Sequence, residues 1–437
     1  MRPFVMLFLA LVCARPCLAH EQDALATSRN IIARHLPFGA ILDPIFATPE
    51  SQQISGYAHG GDAAIWTGHY LAAEAFRYRV TGDPEALDNA RRAVTGLRLL
   101  VDVTGRNLLA RCAVPVDWPF AQSIIDEEKR HGVYRAVVGG QEYYWFGNTS
   151  RDQYSGVFFG LGVAYDLIGD AALRGEIKSL VTRLTSYLLD HNWFVVMPDG
   201  DISVTFTGHP EQRLSFLSVA RRVNDSDFGV KYSSLRFFAY TTVGIAISFE
   251  VLEDHNSYFK FNLDTINLYN LIRLENSSGY RDRFLDVYRR LRGATSGHGN
   301  AHFNMIDRAL TGPDARRDAE TRALLDEWLL RPRRDEWLDW RNNPAYPACG
   351  ADRACQPLPV RDRIRTDFLW QRSPYLLYGG GTGKIEGAGI DYILPYWMAR
   401  HYGVIAETGP VTPDRTAPIP RLPATGRDGS PPRRTTP

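Results

Sequence analysis

The sequence predicts an all-α fold, a toroid of helical hairpins carrying a small β-hairpin insertion. Segments that are apolar nearly all round alternate with amphipathic ones, as inner and outer helices do. About eleven or twelve such segments follow one another without a repeating motif, which disfavours tetratricopeptide-type solenoids. A clear strand signal is confined to WFVVMPDGDISVTF, two β-like runs joined by Pro198-Asp199-Gly200.

In chain order, Met1-Arg2, the apolar run Phe4 to Val12 and the small residue before His20 read as a secretory signal peptide over residues 1–19. Its apolar core is too short to span a bilayer, and no later stretch reaches about 18 apolar residues, so a secreted or periplasmic protein without a membrane span is expected. The folded domain then covers residues 20–407. A helix-compatible stretch from Asp23 to His35 leads into the turn-rich LPFGAILDPIFATPE. The first hairpin pairs a buried helix from Asp62 to Tyr78 with an amphipathic one from Pro84 to Val101, whose Leu87, Ala90, Val94, Leu97 and Val101 recur at helical spacing. Between them, Gly82 stops one helix, and Asp83 with Pro84 caps and starts the next.

Further helices are expected at Asp152 to Ile168, Leu173 to Leu189, Tyr232 to Leu252, Tyr258 to Leu274, Arg281 to Leu291, Ala301 to Leu310, Ala315 to Leu330, Thr366 to Leu377 and Asp391 to Tyr402. Pro395 is expected in the first turn of the last helix. Arg331 to Arg365 is irregular, and a disulfide between Cys349 and Cys355 would close a short ring there, leaving Cys112 as a buried thiol. Residues 408–437, rich in proline and arginine, read as a disordered tail.

A content of 44% hydrophobic and 12% aromatic residues supplies a sizeable core, and a net charge of +1 gives no global field favouring nucleic acid or an anionic membrane. Chemistry is concentrated where buried helices begin. In WFGNTSRDQYSGVFFGLGVAYDLI, Asp152 falls in a first helical turn, where free N–H groups and the helix dipole stabilise a carboxylate, and Gly156 and Gly160 admit a neighbouring helix. Asp152 reads either as the wall of an active site or as a cap with Arg151 as its surface partner. Likewise Asp62, Trp66 and His69 share one helix face, as a sugar-binding cleft requires or as a capping Asp with core Trp and His would. Two Asp-led helix starts on one face would supply the carboxyl pair of glycosidic hydrolysis.

Other candidates are scattered. SGHGNAHFNMID offers His302 and Asn304, a spacing suited to a loop or strand, which could neutralise a uronate and abstract its proton. HxxxH, His298 to His302, lacks a third ligand, so no metal is expected. Lys260, between aromatics, is a substrate contact or a lysine snorkelling from the core edge. Near the end stand Trp370, Arg372 and Glu386, the last delivered by a flexible loop; its GGGTGK lacks the phosphate-loop pattern, so no nucleotide cofactor is expected.

WTGHYLAAEAFRYRVTGDPEAL, SRDQYSGVFFGLGVAYDLI, the PDG hairpin and GIDYILPYWMARHYGV together resemble the six-hairpin, (α/α)6-toroid superfamily of carbohydrate-active enzymes, over roughly Ala24 to Val404. That resemblance implies a cleft lined by inner-helix starts, with aromatic subsites and acidic catalysts. The expected activity is glycoside hydrolysis of an oligo- or polysaccharide by Asp152 and Asp62 with Glu386 in reserve, the sugar stacked by Trp66, Trp145, Tyr154 and Trp370. A polysaccharide lyase using His302 and Asn304, or a non-catalytic glycan-binding envelope protein, are the alternatives.

Overall fold

The computed structural model describes residues 21–252, 257–365 and 368–406; the proposed signal peptide and proline-rich tail lie outside them. The fold is mixed α/β and corrects the all-α expectation: fourteen α-helices are joined by four small antiparallel sheets among the described residues, and no toroid is found. The sheets are β1 (Asp43–Phe46) with β2 (Ile54–Ala58), β3 (Cys112–Pro115) with β5 (Gln141–Phe146) and β4 (Val133–Val138), β6 (Phe194–Val196) with β7 (Ile202–Thr205), and β8 (Leu338–Asp339) with β9 (Tyr378–Gly379). Only β6–β7 is the expected PDG hairpin. The β4–β5 hairpin turns at Gly139-Gly140, both at positive φ (59° and 85°), the pair a tight two-residue hairpin demands.

The first helical hairpin forms as its sequence dictates. α2 (Ala63–Thr81) ends at Gly82 in the left-handed conformation (φ 67°), and α3 (Pro84–Asp102) starts with Asp83 accepting the Glu85 N–H at 2.9 Å. α2 is buried along its first four turns and packs on α5 (Arg151–Leu167) and α14 (Ile390–His401). The contact between α2 and α5 is backbone to backbone: a Cβ on Gly68 would lie 2.0 Å from the Gly156 carbonyl oxygen, and one on Gly160 would lie 2.1 Å from that of Gly68. α7 (Pro210–Val223), α10 (Phe259–Leu274) and α12 (Ala301–Thr311) continue the central packing, α10 touching α5, α7 and α12, and α12 touching α14. α6 (Ala171–Asp190), α11 (Ser278–Thr295) and α13 (Ala315–Leu329) lie outside these.

Three helical expectations change. The apolar run Tyr232 to Leu252 is two helices, α8 (Asp225–Ala239) and α9 (Thr242–Glu250), which leave Val230, Phe237, Phe238, Ile245, Phe249 and Leu252 exposed instead of forming one buried rod. Thr366 to Leu377 is not a helix: its first two residues are outside the described set, and the rest is turns carrying Pro374. Pro395 sits in the second turn of α14, beyond the position that costs no hydrogen bond. α1 (Glu21–Asn30) stops short of His35 and continues as a π-helical turn, Ile31–His35, while α4 (Ala121–Glu128) was not expected.

The irregular segment is fastened to the start of the chain. Arg334 donates to the carbonyls of Thr48 (3.1 Å), Pro49 and Ser51 (2.6 Å), and the Phe46 N–H bonds the Lys384 carbonyl at 2.9 Å. Cys349 and Cys355 form the expected disulfide, which supports an oxidising compartment, and Cys112 is a buried free thiol. Replacing both cysteines by serine removes a ring of about seven residues and should cost about 2 kcal/mol, read as a lowered denaturation midpoint with an unchanged slope. No helix among the described residues is long and apolar enough to cross a membrane.

Candidate active site

Two loops lead into the buried helices, and Arg111 ties them together. Its guanidinium donates to the Gly61 carbonyl (2.7 Å), the Asn148 carbonyl (2.9 Å) and Ser150 Oγ (2.7 Å), joining the entries of α2 and α5. Asp62 stands at the N-cap position of α2 but makes no capping hydrogen bond, so the capping alternative does not hold. Its carboxylate instead accepts Gln153 Nε2 at 3.0 Å and Gln371 Nε2 at 3.3 Å, with Arg111 Nη1 3.8 Å away. Buried Gln153 is fixed in turn because its Oε1 accepts the Ile65 N–H at 3.0 Å. In the first turn of α5, Asp152 Oδ1 accepts Ser150 Oγ and, at 3.1 Å, the Gln153 N–H.

Asp152 lines a small, narrow cleft with Trp66, Phe259, Asn262, Trp370 and Gln371. Gln371 both touches the cleft and donates to Asp62, while Asp62 itself is not among the residues that line it. Asn262 Oδ1, Gln371 Oε1 and Trp370 Nε1 are buried there without a partner among the described residues. Such atoms cost free energy unless a ligand or water satisfies them. Trp66 packs against Phe368 (centroids 4.4 Å apart) and Trp370 (6.2 Å). Behind Trp370, His69 stacks on it at 5.2 Å and is bracketed by the Ile65 carbonyl (2.9 Å from Nδ1) and Asn262 Nδ2 (3.2 Å from Nε2). Burial lowers its pKa to about 4 against the pull of those two bonds, so His69 is neutral and structural.

Glu386 is elsewhere. Its carboxylate accepts Asn30 Nδ2 at 2.7 Å and lies 3.5 Å from His35 Nε2 and 3.7 Å from Arg34. Burial would raise its pKa, but the bonds from His35 and Asn30 prevail and lower it to about 2, leaving an ionised anchor. His302 and Asn304 also separate, because α12 is a helix and residues two apart point to opposite sides. His302 faces His69 and Trp370, fully buried with both ring nitrogens unpartnered among the described residues, whereas Asn304 accepts Arg292 Nη2 (2.5 Å) and donates to Glu320 (3.1 Å). That removes the proposed lyase pair.

Nor do the other aromatics reach the cleft. Trp145 is buried on β5 against Tyr134 (4.3 Å), and Tyr154 is buried with its hydroxyl accepting the Leu109 N–H. Lys260 is buried with its ammonium 4.0 Å from Glu250, Arg151 contacts His209, and Arg372 is exposed.

Several residues were missed in the sequence. Glu211 on α7 and Asp264 on α10 are buried carboxyl groups, each with one oxygen unpartnered among the described residues. Burial, then the charges of Glu211 and Glu250, push Asp264 well above the ordinary carboxyl range against Arg151 and Lys260. A second small pocket also borders Trp66 and is lined by Asp43, His59, Asp335, Arg365 and Asp391. His59 and the glycines after it were legible only as a turn. No protein-family model matches the chain, and no curated protein matches it.

Proposed function

We propose that the protein is an exported glycoside hydrolase that cleaves an oligo- or polysaccharide with Asp152 and Asp62 as its carboxyl pair. The observation that carries the reading is the cleft in which Asp152 sits beside Trp66 and Trp370 with three polar atoms unpartnered among the described residues, Asn262 Oδ1, Gln371 Oε1 and Trp370 Nε1. Sugar rings have apolar faces that stack on indoles and hydroxyl rims that satisfy such atoms. Hydrolysis needs one carboxyl group to protonate the glycosidic oxygen and a second to activate water or attack the anomeric carbon. The disulfide supports export.

The test is turnover of a glycan panel by the purified chain, followed as new reducing ends. On the substrate found, Asp152→Asn and Asp62→Asn should each lower kcat roughly 100- to 10,000-fold with the unfolding midpoint retained. Unchanged turnover by Asp152→Asn removes it from the mechanism. An unsaturated product absorbing in the near ultraviolet would assign a lyase, and saturable binding without product would assign a glycan-binding protein.

A further inference from the structure

We propose that the exposed apolar faces of α8 and α9 are a docking surface for a second copy of this chain, which makes the protein a two-fold homodimer. The glycan reading above plays no part in it.

Each of the two helices is apolar on two sides. Phe228, Tyr232 and Ala239 of α8, and Val243 and Ile247 of α9, are buried against the body of the molecule, as the inner face of a surface helix should be. Facing away from it are Val230, Phe237 and Phe238, then Ile245, Phe249 and Leu252, the last three at spacings of four and three along one helical stripe. These residues are between 57% and 79% exposed. A helix apolar on both sides is suited to burial on both sides, and the monomer covers one.

The area fits one partner's share of a dimer. Exposure of this extent on six large side chains amounts to roughly 700–800 Å² of apolar surface, more than the largest patch on a typical monomer and close to what each subunit contributes to a standard interface.

Shape and charge favour a second copy over other occupants. The same face carries a groove lined by the small residues Gly229, Ser233 and Ser234 beside Val230, together with the large Phe237 and Phe238, so protrusion and depression share one patch, as an isologous contact requires. An antiparallel crossing of α8 on its copy, with the two-fold axis at Ser234, sets position 230 of one subunit against 238 of the other and seats each Phe238 beside Gly229 and Val230. The exposed charges on the two helices are Asp225, Asp227 and Lys231, while Arg236 is held by Glu275 at 2.7 Å and Glu250 lies 4.0 Å from Lys260. A face with more acid than base does not attract an anionic membrane or nucleic acid, whereas mixed signs can pair across a two-fold axis.

Light scattering on the purified chain should give twice the chain mass above about 10 µM, because interfaces of this size bind with micromolar or tighter dissociation constants. Replacing Phe238 and Phe249 together by aspartate should weaken association at least about 30-fold, and since both side chains are exposed the variant should keep the helix content and cooperative unfolding of the wild type. Val137→Asp, on an equally exposed residue of β4, is the control and should dimerise as the wild type does. A wild-type chain that is monomeric at about 100 µM overturns the proposal, as does a dimer that survives the double substitution. A monomer that floats with phosphatidylglycerol vesicles assigns the face to a membrane and overturns it as well.

Discussion

Alanine in place of Gly68 is expected to abolish the native fold. The added Cβ would stand 2.0 Å from the Gly156 carbonyl oxygen and 2.4 Å from its carbon, backbone atoms that cannot rotate aside. Alanine gains about 1 kcal/mol of intrinsic helix preference over glycine, but parting two helices that meet along Gly68, Gly156 and Gly160 strips contacts from the centre of the core. A net loss of at least about 3 kcal/mol follows, a large share of a typical domain's stability. The control is Gly175→Ala on α6, where a Cβ meets nothing within 4 Å and about 0.5–1 kcal/mol of stabilisation is expected. Circular dichroism against urea separates the two. A soluble Gly68→Ala protein with an unchanged midpoint would remove the close helix contact.

His35→Gln should be nearly as damaging, and in a pH-dependent way. Both ring nitrogens of buried His35 face carboxylates, so both carry protons and the ring is a cation between Asp43 and Glu386. Burial alone would lower its pKa from 6.5, but the bonds and charges of Asp43 and Glu386 outweigh that and raise it. The same pairing holds Asp43 below its ordinary 3.8 and lowers Glu386 from 4.5 to about 2, each against its own burial. Because His35 is raised, its contribution is complete below pH 6.5 and is lost as pH rises through its folded value. Because the carboxyls are lowered, theirs is complete above pH 4.5 and is lost as pH falls through their folded values. Stability from this cluster should therefore be greatest between pH 4.5 and 6.5. Glutamine removes the buried cation that bridges the two carboxylates and leaves their outer partners, His59 and Arg34, a loss of up to about 3–5 kcal/mol. Unfolding midpoints measured across pH should fall at both ends for the wild type, and the variant should lose the alkaline dependence. Superimposable profiles would show that the ring is not charged.

What was legible in the chain was local. Gly82-Asp83-Pro84 fixes the joint between α2 and α3 by turn geometry alone, and Gly156 with Gly160 announces a close helix neighbour without naming it. Asp62 and Asp152 stood out because an aspartate heads an apolar helix in each case. The β4–β5 hairpin was equally local and was overlooked, since Gly139-Gly140 between β-branched and aromatic runs is a hairpin signal. α7 escaped because Glu211, Gln212 and Arg213 give it a polar beginning, though the structure buries Glu211 and Gln212. Glu386 could not be placed from its surroundings because its partners, Asn30 and His35, are more than three hundred residues away. His302 and Asn304 were misjudged through their period: their spacing of two was read as that of a loop or strand, although a helix was expected over Ala301 to Leu310, and Asn300 caps that helix by accepting the His302 N–H at 3.1 Å.

The clasp between the two ends of the chain bears on synthesis. Asn30 waits 356 residues for Glu386, Thr48 and Ser51 wait for Arg334, and α2 lacks its α14 neighbour until the described chain is nearly finished. A ribosome delivering this sequence therefore exposes an apolar α2 and leaves the His35–Asp43 pair without Glu386 throughout elongation, and residues 21–60 settle only after the last described helix has emerged.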